Sequence, residues 1–238
     1  MDVKVAFILS LVVCVVFTAC FILVRSKGAS VFSVLTKSIA SFCFIMCLMV
    51  SLIYTKVFNE AYICLALGLV CGLIGDVLLD LKLVYKEHDN EYLRGGFVSF
   101  GIGHVFYTLA LVLFAGQYGI DLLVPLLVAV GAGIVLTIGT YFLTKMMKMD
   151  FGKNLVITLV YTFILNFITV LAIVLAIYNT AFISLAVGFV FFLISDLVLS
   201  MQYFGGKADS NILQVINHST YYIAQILIAS TAFILILI

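Results

Sequence analysis

The sequence predicts an all-α fold, a polytopic membrane bundle of eight transmembrane helices. Three observations carry that prediction. Of 238 residues, 66% are hydrophobic and only 10% are charged, with a mean hydropathy of +1.34. A soluble domain keeps about a quarter of its residues charged. The apolar residues fall into eight segments near the length of about 20 residues that a bilayer-crossing helix requires. Short polar connections separate them, so a single transmembrane domain over residues 1–238 is expected, without a soluble appendage.

The first span, near 3–24, has an apolar run too long for the core of a signal peptide and is read as a retained helix. The second, near 31–53, carries one lysine, Lys37, inside its apolar run. The third, near 61–81, holds "GLIGDVLLD" and with it two aspartates, Asp76 and Asp80. The fourth lies near 97–116 and contains His104 and Tyr107. The fifth, near 121–143, has the only proline, Pro125. Spans near 154–177, 180–200 and 214–237 complete the bundle. The six cysteines, Cys14, Cys20, Cys43, Cys47, Cys64 and Cys71, sit in the first three spans without histidine at metal-ligand spacing and read as small core residues.

Loop charge orients the chain. Arg25, Lys27, Lys82, Lys86, Arg94, Lys145, Lys148, Lys153 and Lys207 fall on one side; only Lys4 and Lys56 fall on the other. The positive-inside rule makes the first side cytoplasmic and sends both termini outward. Short loops and this charge pattern fit a bacterial inner membrane, that is, a multi-pass protein of the cell membrane. A net charge of +1 offers no basic body for nucleic acid, and no such partner is expected. The oligomeric state is not legible.

An internal echo is present. "GLVCGLIGDVLL" (68–79) matches "GFVFFLISDLVL" (188–199) at an offset of 120, aligning Asp76 with Asp196. Each stretch precedes a His-x-x-Tyr, His104/Tyr107 and His218/Tyr221. A four-span duplication would give two parallel halves; short apolar stretches also match by chance.

Ionisable residues inside a bilayer are costly and point to function. Counted from the cytoplasmic ends at 1.5 Å per residue, Lys37, Asp76, His104, Tyr161, Asp196 and Tyr222 share a layer about 6–14 Å deep. They come from six different spans. Helical faces agree: Gly68, Gly72, Asp76 and Asp80 recur every four residues, and Gly188, Phe192, Ser195 and Asp196 form one face of span seven. On span eight His218, Tyr221, Tyr222 and Gln225 align. These faces predict a shared cavity opening toward the cytoplasmic leaflet.

Asp76 and Asp196 form the expected catalytic pair, against the plainer reading that either neutralises Lys37. Asp80, nearer the loop, is expected to be structural or substrate-orienting. Lys37 serves equally well as an ion-pair partner or a phosphate contact. His104 is an acid–base group or an interhelical hydrogen-bonding residue. His218, close to the water boundary, and His88, in "KEHDNEYLR", read as solvated or structural. Two carboxylates in a water-poor cavity do not both ionise cheaply, so one keeps its proton and can act as general acid while the other positions water. Three scattered histidines make no zinc cluster, and neither a metal nor a cofactor is expected.

The ordered elements resemble the YhhN family of lysoplasmalogenase-like membrane proteins. "LTKSIASF" is similar to its Lys-Pro segment, with Ser38 replacing the proline. "GLVCGLIGDVLLD" resembles its Gly-Asp-x-x-Leu helix, and "GFVSFGIGHVFYTLAL" its Phe-x-x-x-His-x-x-Tyr helix, through Phe100, His104 and Tyr107. "AVGFVFFLISDLVLS" resembles the Phe-x-x-Ser-Asp helix, through Phe192, Ser195 and Asp196. "YYIAQILI" resembles the final Tyr-x-x-Gln, through Tyr222 and Gln225. The Gly-x-Gly-Asp signature of intramembrane aspartyl proteases lacks its first glycine here, at Leu73-Ile74-Gly75-Asp76.

What the resemblance implies is hydrolysis of the vinyl-ether bond of lysoplasmalogens to a fatty aldehyde and glycerophospho-ethanolamine or -choline. The implied partners are a lysophospholipid substrate and the surrounding membrane lipids. Asp76 and Asp196 would be catalytic. Lys37, Asp80, His104, Tyr107, Tyr161, Ser195, Tyr222 and Gln225 would bind substrate and water. The rival reading is a proton-coupled transporter of a lipid or small solute that uses the same carboxylates as a relay.

Overall fold

A computed structural model describes residues 3–207 and 210–237, with side chains to residue 234. Eight α-helices follow one another: α1 (Val3–Arg25), α2 (Val31–Thr55), α3 (Glu60–Val84), α4 (Asp89–Gln117), α5 (Leu123–Met146), α6 (Leu155–Tyr178), α7 (Ile183–Phe204) and α8 (Asn211–Leu237). Three short 3-10 turns precede α4, α6 and α7, and no strand occurs among the described residues. Helices α1 to α7 are each long and apolar enough to cross a membrane, which fits a multi-pass membrane protein.

Local signals set the ends. Ser30 caps α2 in a reciprocal capping box with Ser33, and the Asn59 side chain caps α3 by accepting from the Tyr62 N–H. Pro125 sits in the first turn of α5, where its missing N–H costs nothing. The largest departure from the expected spans is at α4, which begins at Asp89 rather than near residue 97. Hydropathy measures solubility in lipid, not helix formation. The polar "DNEYLR" stretch carries Asp89 and Glu91 in the first turn, where acidic groups favour the positive end of the helix.

Sequential helices pair as hairpins: α1 with α2, α3 with α4, α5 with α6, and α7 with α8. Helices α2, α3, α4, α6, α7 and α8 then close on one another into a ring. Helix α1 lies outside against α2 and α8, and α5 packs chiefly on α6. The polarity is inverted relative to a soluble protein. Leucines, valines and isoleucines cover the outside, whereas Lys37, Asp76, Asp80, His104, Asn166 and Gln225 are buried. In a bilayer no hydrophobic force drives helices together, so close packing and interior hydrogen bonds must do so.

Two glycines show what that packing needs. A Cβ on Gly68 would lie 2.3 Å from the Tyr107 ring, and one on Gly72 would lie 2.8 Å from Gln225 Nε2. The small face of α3 therefore admits the two side chains that carry polar groups to the bundle centre.

Candidate functional site

The polar interior divides into two clusters, one built on α3 and the other on α7. On α3, Asp76 and Asp80 stand one turn apart, and Lys37 reaches between them from α2. Lys37 Nζ lies 3.4 Å from Asp76 Oδ1 and 3.2 Å from Asp80 Oδ1. All three side chains are at most 5% exposed. The second oxygen of Asp76 accepts from Ser41 Oγ at 2.5 Å and from the Tyr221 hydroxyl at 2.7 Å. Asp76 is thus held by a cation and two hydroxyl donors. Ser38 bonds its hydroxyl to the Val34 carbonyl within an unbroken α2, and Lys37 beside it reaches both aspartates.

Behind this cluster runs a chain of hydrogen bonds. Tyr107 donates to Gln225 Oε1 at 3.0 Å, Gln225 Nε2 donates to the Tyr221 hydroxyl at 2.9 Å, and Tyr221 donates to Asp76. Tyr222 sits within 3.0 Å of Ser41 Oγ and 3.3 Å of the Lys37 carbonyl.

The second cluster is smaller and more open. Asp196 on α7 accepts a hydrogen bond from the Tyr161 hydroxyl of α6, and Tyr161 lies 3.2 Å from His104 Nε2. Because Tyr161 gives its proton to Asp196, its oxygen accepts from His104. In that arrangement Nε2 carries the imidazole proton, and the buried Nδ1 has no hydrogen-bond partner among the described residues. No cation approaches Asp196 within 4 Å among the described residues. Asp196 is only half-buried, whereas Asp76 is 2% exposed.

Phe192 stands between the clusters, edge-on to His104 at 4.8 Å and to Tyr221 at 5.4 Å. The expected pair is therefore not a hydrogen-bonded dyad. Asp76 and Asp196 share no hydrogen bond; each has its own partners, and they meet only as walls of one cavity.

Two adjoining cavities complete the site. A polar one is lined by Arg25, Lys37, Asp76, Asp80, Lys82 and Asp196 among others. An apolar one lies between α5, α6 and α7 and is walled by Phe97, Leu143, Leu159, Leu197, Phe204 and similar residues. Leu79, Phe100, Asp196, Leu199 and Tyr203 belong to both. Asp196 is the one carboxyl at that junction.

The family model decides what kind of chain this is. The YhhN family model matches residues 32–232, most of the sequence. The chain belongs to the YhhN family. No curated protein and no solved structure matches it.

The residues singled out from the sequence of this YhhN-family chain are placed unequally. Asp76, Asp80, Lys37, Ser195 and Asp196 line the polar cavity, and Tyr161 lines the apolar one. His104, Tyr107, Tyr222 and Gln225 line neither of these two cavities; they hold the lining residues from behind. The Ser195 hydroxyl and carbonyl are taken by Asn217 of α8, a clip between helices. Asp80, expected nearer the loop, is one turn closer to the end of α3 and is as deeply buried as Asp76. Lys37 extends it a charge partner, so the ion-pair role expected of this lysine is the one its distances show.

Two contributors escaped the sequence reading, and a third, His218, was placed on the cavity face but read as solvated or structural. Ser41 follows Lys37 by one helical turn, a spacing that could have exposed it. Arg25 counted as a loop charge but is buried, 8% exposed, against the polar cavity. His218, expected near water, is also buried, edge-on to Phe21 at 4.8 Å.

Proposed function

We propose that the protein hydrolyses the vinyl-ether bond of a lysoplasmalogen, releasing a fatty aldehyde and a glycerophospho-ethanolamine or -choline. The observation that carries this reading is the position of Asp196 where an apolar cavity meets a polar one. A single-chain lipid has the same two-part character, and its vinyl ether sits at the boundary between tail and head. Family membership supports the same class of reaction. The polar cavity carries Arg25 and Lys82 and would open to the cytoplasmic leaflet under the positive-inside rule.

The chemistry follows from the asymmetry of the clusters. Asp196, protonated, gives its proton to the vinyl carbon that is β to the ether oxygen, and the double bond's electrons form the new C–H bond. The other carbon becomes an oxocarbenium ion. Asp76, held by Lys37, Ser41 and Tyr221, lines the same cavity and faces the developing positive charge. Water then adds to the cation, and the Asp196 carboxylate takes the released proton. The hemiacetal that results collapses to aldehyde and glycerol hydroxyl. Tyr161 and His104 hold Asp196 in place throughout.

Purified protein in detergent, mixed with lysoplasmalogen and coupled to alcohol dehydrogenase, tests the reading. Aldehyde should appear with vinyl-ether substrate and not with alkyl-ether or acyl lysolipids of equal chain length. Absence of aldehyde from all of them, with solute or proton movement in liposomes instead, would replace the hydrolase with a transporter.

A further inference from the structure

Lys37 is committed to Asp76 and Asp80, yet the polar cavity holds two more cations. Arg25 ends α1 and would ordinarily extend into water, as long basic side chains at span ends do. Instead it is 8% exposed and forms part of the cavity wall. No carboxylate lies within 4 Å of its guanidinium among the described residues. Its neighbour is neutral: with the Gln214 amide turned to satisfy both groups, Gln214 Oε1 accepts from Arg25 at 3.1 to 3.3 Å. Lys82, half-buried on α3, lines the same cavity with its ammonium 4.2 Å from the centre of the Tyr203 ring. It too has no carboxylate within 4 Å among the described residues.

A buried guanidinium without an anion is costly, and its loss of hydration is recovered only when an anion is present. The planar fork of arginine matches the oxygens of a phosphate. We propose that Arg25 and Lys82 form a phosphate-binding subsite of the polar cavity, taking the anion of a phosphate ester. Its assignment to the head group of a lysophospholipid rests on the hydrolase reading; free inorganic phosphate offers the same chemistry. The subsite would fix how far the lipid enters, and so set which carbon reaches Asp196.

Ligand-dependent thermal stabilisation of the full chain in detergent tests the subsite without requiring turnover. The probes are lysophosphatidylethanolamine, a monoacylglycerol of the same chain, and inorganic phosphate. The wild-type protein should bind the lysophospholipid at least about tenfold more tightly than the monoacylglycerol, a difference of roughly 1.4 kcal/mol. Arg25→Gln should abolish that preference while leaving monoacylglycerol binding unchanged. Arg25→Lys should restore part of it, and Lys82→Gln should reduce it. A wild-type protein that does not prefer the phosphate-bearing lipid or respond to inorganic phosphate overturns the subsite. So does an Arg25→Gln variant that weakens both lipids equally.

Stabilisation by inorganic phosphate alone, lost in Arg25→Gln, keeps the subsite and assigns it a free anion. If Arg25→Gln does not fold, Lys82→Gln decides, and an undiminished preference in that variant overturns the proposal. Aldehyde release separates the two claims. Phosphate preference without aldehyde rejects the hydrolase and keeps the subsite; aldehyde without phosphate preference does the reverse.

Discussion

The α3 and α7 carboxylates began as equivalents, two aspartates in matching sequence contexts 120 residues apart. Their surroundings differ in every respect that matters for proton transfer. Asp76 shares a lysine with Asp80, accepts two hydroxyl hydrogen bonds and is nearly sealed. Asp196 has one tyrosine, no cation within 4 Å among the described residues, and two cavities in front of it. A carboxyl that must give and regain a proton needs access to substrate and freedom from a fixed counter-charge. A carboxylate that stabilises positive charge needs the opposite. Two similar stretches of sequence have thus been given different surroundings by their neighbours, and the proposed division of roles rests on that difference.

The contrast can be broken at several points. The largest effect belongs to Asp196→Asn, which should lower kcat by about 10²- to 10⁴-fold, the usual worth of a general acid. Next is Lys37→Met, which strands two buried carboxylates and should cost about 3–5 kcal/mol in equilibrium unfolding from mixed micelles. Adding Asp76→Asn and Asp80→Asn should recover most of that loss, because the cost lies in uncompensated charge. No destabilisation in the single variant would mean that the triad carries no ion pairing. Tyr221→Phe should be milder, about 1–3 kcal/mol, since it leaves Asp76 and Gln225 each one partner short. Smallest of all, Ser195→Ala should cost about 0.6 kcal/mol, typical of a hydrogen bond between membrane helices, with kcat unchanged if the Asn217 clip is only structural.

How much of this could be read from the chain follows from what each signal measures. Apolar length is set by bilayer thickness, so the eight helices and their order were legible. The six spans picked out by their interior polar residues are the six that close into the ring. Side-chain partnership is different. Nothing in "GDVLLD" or "SDLVLS" says that a lysine from another helix chooses one aspartate and not its counterpart. That choice depends on the rotation and approach of α2, which place Lys37 between Asp76 and Asp80. Arg25 was misread for a related reason. A basic residue at the end of a span looks alike whether it snorkels outward or folds back over a cavity. The early start of α4 escaped because polar residues can extend a helix beyond the lipid.

The central claim is that Asp196 performs chemistry while Asp76 holds charge and structure. Measuring kcat for aldehyde release and the unfolding midpoint side by side in Asp196→Asn and Asp76→Asn tests it most directly. Asp196→Asn should lose turnover and keep the wild-type midpoint, because the amide oxygen still accepts from Tyr161. Asp76→Asn should lower both. An Asp196→Asn protein that folds and turns over lysoplasmalogen at the wild-type rate would contradict the account.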